Sequence, residues 1–122
     1  MTHKDLDVWK KSIDLVLVIY ALTKEMPSDE RYGLCSQIKR AAVSVPSNIA
    51  EGAGRSSTKE FIRFLDISNG SLSELETQLI IIEKLQYGDT HKIIEASLIP
   101  IRKMLYKLKQ SLKRKLERNS DA

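Results

Sequence analysis

The sequence predicts an all-α fold, an up-down-up-down antiparallel four-helix bundle of long helices, formed as a single domain over residues 1–122. Three observations lead there. Four segments carry apolar residues at alternating spacings of four and three, and none shows the every-second-residue alternation of a strand. The breaks between these segments are short, which suits neighbours packed side by side. The chain of 122 residues is 42% hydrophobic with 5 Gly and 3 Pro, enough for one core and without the bias of a disordered or low-complexity chain.

The first helix is expected over about residues 6–26, with Val8, Ser12, Leu15, Ile19, Leu22 and Met26 on its inner stripe. Pro27 ends it, because proline disfavours helix in the residue before it. Ser28 reads as the cap of a second helix over about 29–52, with Asp29 and Glu30 in its electropositive first turn. Leu34, Ile38, Ala41, Val45 and Ile49 share one face of that helix. Pro46 lies inside it, removes an amide donor and crowds the carbonyl of Ala42. A kink is expected, with Ser47, Asn48 or a water meeting the freed carbonyl. The alternative is a loop at 44–47 between two short helices, but the apolar spacing stays in phase across the proline. Gly52 and Gly54 read as the stop.

Ser57-Thr58-Lys59-Glu60 is a capping box that opens the third helix, expected over about 58–87. Phe61, Leu65, Ser68, Leu72, Leu75, Leu79 and Ile82 form its seam. Ser68-Asn69-Gly70-Ser71 has turn composition, yet the repeat runs straight through it. The helix is therefore read as continuous, its small residues admitting a neighbouring backbone. Gly88 ends it, and Asp89 or Thr90 caps the fourth helix, expected over about 90–117. Ile94, Leu98, Ile101, Leu105, Leu108 and Leu112 are its seam, and Pro100 predicts a second kink.

A lone bundle does not need all of this apolar surface. Leu15 to Leu22 is apolar on every side of its helix, and Leu79 to Ile82 covers more than half a turn. Leu17, Val18, Tyr20, Ile80 and Ile81 are therefore expected against another copy of the chain, as a homo-oligomer. The longer run has eight residues, against the ~20 that span a membrane, so no membrane role is expected. A charged N-terminus and the single Cys35 point to a cytoplasmic protein.

Few residues suggest chemistry. No glutamate is followed three residues later by histidine, which excludes the bundle-type di-iron site. Cys35 has no histidine near it in sequence, and His3 and His91 stand apart. Glu74, Glu76 and Glu83 read as a solvated face or as ion-pair partners. Glu51-Gly52-Ala53-Gly54-Arg55 has two glycines of a phosphate loop but no lysine after them. No catalytic residue, metal or cofactor is expected, and the chain does not read as an enzyme.

Charge is more informative. Between Pro100 and Arg118 eight basic residues face the single acid Glu117, whereas residues 1–99 hold twelve basic and fourteen acidic residues. Lys103, Lys107, Arg114 and Arg118 line up opposite the seam of the fourth helix, with Arg102, Lys109 and Lys113 in a second row on one flank. Lys39, Arg40, Arg55, Lys59 and Arg63 are expected to form a further cluster around the turn between the second and third helices. Rows of cations with almost no acid between them point to the phosphate backbone of RNA or DNA. The competing reading is a solvated helix face that also suits the helix dipole. Tyr106 is the one aromatic in these rows, so base stacking has little support there.

Tyr32-Gly33-Leu34, followed by Ser36 to Gly52, resembles the four-helix-bundle proteins encoded by 23S rRNA intervening sequences. Lys59-Glu60-Phe61 with Phe64-Leu65, Gly70-Ser71-Leu72 with Glu74 to Leu79, and the opening Leu6-Asp7-Val8-Trp9-Lys10 agree with it. The resemblance covers roughly residues 5–90, and the fourth helix agrees only in type. It implies a protomer that assembles into a homopentamer. It also implies kinship with the accessory protein of diversity-generating retroelements, a basic pentameric barrel that binds nucleic acid and a reverse transcriptase. It implies no catalytic residues.

Overall fold

The computed structural model describes residues 2–120, in which four helices pack around one core and no strand occurs among the described residues. A 3₁₀ turn at His3–Asp5, capped reciprocally by Thr2 and Asp5, leads into α1, Asp7–Lys24. Its buried stripe is Val8, Ser12, Leu15 and Ile19, as the spacing predicts, then Thr23 in place of the expected Leu22, which is only partly buried, and Met26 follows just beyond. The two polar members are satisfied locally: Ser12 donates to the Trp9 carbonyl at 2.7 Å and Thr23 to that of Tyr20 at 2.8 Å.

The second helix, α2, spans Leu34–Ala53 and so begins later than expected. Ser28–Glu30 instead forms a separate 3₁₀ turn in which Ser28 caps nothing, and the chain turns through Gly33 before α2 starts. The helix runs unbroken through Pro46, which overturns the loop alternative. The Asn48 amide donates to the carbonyl of Ser44 at 2.8 Å rather than to that of Ala42. It folds back over an acceptor one turn away, within easier reach than the carbonyl under the proline ring.

Gly52 is no helix stop. It lies inside α2, where a β-carbon would come 2.7 Å from Phe64 Cβ and 3.0 Å from Phe61 Cδ1. The missing side chain is what lets α3, Thr58–Lys84, approach. Ser57 accepts a hydrogen bond from the Glu60 amide at 3.1 Å, so half of the capping box forms. The Glu60 carboxylate turns instead to Arg63, at 2.9 Å. α3 passes through Ser68 to Ser71 without interruption. Ser68 donates to the Val45 carbonyl at 2.9 Å, and the Ser44 and Ser71 hydroxyls lie 2.8 Å apart. Small hydroxyl side chains thus bond α3 closely to α2. The helix ends short of Gly88, because Gln86 takes the left-handed conformation at φ 63° that commonly closes a helix.

The fourth helix, α4, begins at His91–Ile93, widens into a π turn over Ile94–Leu98 and continues as Ile99–Ser120. Asp89 caps its start by accepting from the His91 amide at 3.2 Å. Thr90, fully buried, donates to the Leu79 carbonyl at 2.7 Å and fastens α4 to α3. The π turn comes directly before Pro100: the Ile99 amide reaches back five residues to Ile94. The wider turn relieves the clash of the proline ring with the preceding turn. Leu15, Ile19, Ile38, Ile49, Leu72, Leu75, Leu79, Ile82, Leu98 and Ile101 fill the core. Among the described residues no helix is long and apolar enough to cross a membrane.

Candidate functional site

The seam of α4 buries Leu98, Ile101 and Leu105, which turns Lys103, Lys107, Arg114 and Arg118 outward into solvent. Tyr106, Lys107, Gln110 and Arg114 line a shallow hollow of about 490 Å³ on this face, with no carboxylate in its wall. Gln110 was not singled out from the sequence; as an uncharged residue it carries no signal in a charge pattern.

The flanking row divides. Arg102 bonds Glu76 at 3.1 Å and approaches the Ser73 hydroxyl at 3.4 Å, while Lys109 meets Asp66 at 2.6 Å. These cations lean onto α3, whose acidic edge neutralises them. Lys113, one turn further along, stays exposed.

The cluster expected around the turn between α2 and α3 also separates. Arg55 and Arg63 both sit over the ring of Phe64, at 5.0 and 4.6 Å from its centroid. Each is tied to a glutamate, Arg55 to Glu51 at 2.6 Å and Arg63 to Glu60 at 2.9 Å. Lys59 is exposed beside them. Lys39 and Arg40 are not part of this group. They stand some fourteen residues before the end of α2, about 20 Å along its axis at 1.5 Å per residue.

Lys39 and Arg40 belong to a different setting. The Lys39 ammonium lies 4.9 Å from the centre of the Tyr20 ring, and the Arg31 guanidinium 5.6 Å from that of Tyr32. These five residues, with Ser36, Val43 and Ser44, line an open groove of about 580 Å³ along α1 and α2. Arg31 and Tyr32 were missed in the sequence because they fall in the turn before α2, where helical spacing says nothing about direction.

The apolar residues expected at subunit contacts are exposed in the protomer. Leu17 is 65% exposed, and Val18, Tyr20, Ile80 and Ile81 are each close to 40%. α1 packs on α2 and α4, as does α3, so the residues of α1 and those of α3 emerge on separate sides of the bundle.

Cys35 is buried, its thiol 3.8 Å from the Met26 sulfur and 3.9 Å from the Thr23 carbonyl. His91 pairs with Glu95 at 3.0 Å on the surface. Among the described residues no three His, Cys, Asp or Glu side chains are grouped as a metal site would require. The hollows described above are lined by cations, hydroxyls and aromatic rings, suited to holding an anion.

Compared with known proteins, residues 4–107 match the family model described as 23S rRNA-intervening sequence protein. No curated protein matches the chain.

Proposed function

Because the chain belongs to the 23S rRNA-intervening sequence protein family, we propose that it is a non-enzymatic, oligomeric cytoplasmic protein that binds RNA through the outer face of α4. One observation carries this reading: Lys103, Lys107 and Arg114 stand exposed on one helix face, and the hollow that Lys107 and Arg114 form with Tyr106 and Gln110 has no carboxylate in its wall. Phosphates are attracted to such a face without regard to sequence, and each contact releases counterions. Arg102 and Lys109, engaged with α3, contribute to its field rather than to direct contact.

The protomer is read as up-down-up-down. In support, Arg102 meets Glu76 while Lys109 meets Asp66, and Ser44 meets Ser71 while Gly52 meets Phe64; numbering rises on one helix as it falls on its neighbour. The π turn before Pro100 supports a bend in α4. Exposed Leu17 and Ile81 support self-assembly, and five subunits follow from the family resemblance alone. Distinct apolar patches on α1 and α3 suit a head-to-tail ring, in which one patch of each subunit meets the other patch of the next.

The test is titration of labelled RNA at several salt concentrations. Log affinity is expected to fall linearly with log salt, by about 0.7 per phosphate neutralised on a single strand. Replacing Lys103, Lys107 and Arg114 together by Gln should weaken binding alike for every sequence and flatten that slope. Folding should be nearly unchanged, since exposed charges contribute about 0–1 kcal/mol each. Parent protein without saturable RNA binding would overturn the reading and leave a protein-interaction scaffold.

A further inference from the structure

We propose that the groove between the C-terminal part of α1 and the N-terminal part of α2 holds a single-stranded segment of RNA, its bases against Tyr32 and Tyr20 and its phosphates against Arg31, Lys39 and Arg40. The proposal rests on the RNA-binding reading above, but on different residues and a different mode of contact.

Charge is the first argument. Arg31, Lys39 and Arg40 line the groove and no carboxylate does. A second hollow adjoins it, shares Arg31 and Lys39, adds Lys24 and likewise contains no carboxylate. The nearest acids in sequence, Asp29 and Glu30, line neither hollow. The cationic track is thus not cancelled from within.

The aromatic rings are the second argument. Tyr32 is 87% exposed, so its ring is not buried on folding and is available to a ligand. Arg31 lies over it, and Lys39 over Tyr20, so each ring in the groove has a cation beside it. Rings paired with cations suit a polymer in which each base is joined to a phosphate. A duplex keeps its bases stacked inside and cannot offer them to a tyrosine, whereas an unpaired strand can. A volume of about 580 Å³ lies within the range of small-molecule sites, and the groove is open to solvent. Tyr20, expected at a subunit contact, is 40% exposed and lines this groove with Lys39 beside its ring.

The experiment compares the full-length protein on a labelled oligouridylate and on a blunt RNA duplex of equal length, by fluorescence anisotropy. Tyr32→Ala is expected to weaken binding of the single strand about tenfold, the effect of losing one stacked base. Tyr32→Phe, which keeps the ring, should restore it, and duplex binding should not change. Tyr32→Ala that binds the strand like the parent, while the triple variant of α4 binds weakly, would overturn this proposal and spare the α4 reading. A parent that binds neither RNA would overturn both. A change in sedimentation of Tyr32→Ala would also overturn it, by making the groove a contact between copies of this chain.

Discussion

An alanine methyl at position 52 would lie 2.7 Å from Phe64 Cβ and 3.2 Å from the Phe61 carbonyl oxygen. Neither neighbour is the free end of a flexible side chain, so α2 and α3 would have to part. Gly52→Ala is expected to cost about 1–3 kcal/mol, seen as a lower urea midpoint at unchanged slope. At Gly70, also mid-helix, nothing lies within 4 Å of the place a methyl would take. Gly70→Ala should therefore stabilise the protomer by about 0.4–1 kcal/mol, through helix propensity and a less flexible unfolded chain. The same measurement reads both. The sequence separates the two glycines wrongly, since Gly52 reads there as a helix stop when both lie inside helices. What distinguishes them is which one the facing helix crosses.

At the scale of the element, the buried Thr90 hydroxyl joins the start of α4 to the Leu79 carbonyl of α3 at 2.7 Å. Thr90→Val keeps the shape and removes the donor, and is expected to cost about 1 kcal/mol in chemical denaturation. The existence, order and buried faces of the four helices were legible in the apolar spacing, because that spacing reports the packing period. The ends were less legible. The second helix starts at Leu34 because Ser28–Glu30 closes into its own turn, and the third ends where Gln86, not a glycine, takes φ 63°. The basic face of α4 could be read from the helical wheel. The loss of Arg102 and Lys109 to ion pairs could not, since Glu76 and Asp66 lie on another helix. The groove at Tyr32 was hidden for a similar reason: its residues come from α1, a turn and α2.

At the scale of the whole molecule, the separate apolar patches on α1 and α3 allow a test of how copies join. Leu17→Glu and Ile81→Glu each spoil one patch at an exposed position, so both variants should stay folded yet sediment as monomers. Mixed in equal amounts, they should form a heterodimer through the two intact patches and grow no further, if the contact is head-to-tail. A self-complementary contact would instead leave the mixture monomeric or pair each variant with itself. The π turn at Ile94–Leu98 has a further consequence, for the length of the chain. It holds one residue more than an α-helical path between Thr90 and Arg102 requires. A deletion within it, combined with Pro100→Ala, would leave both the Leu79 anchor and the Glu76 pair in register. The same deletion between Arg102 and Lys109 would swing Lys109 about 100° away from Asp66 and turn every later cation with it. This fold thus has one place along α4 where it can gain or lose a residue without changing the direction in which its charge points.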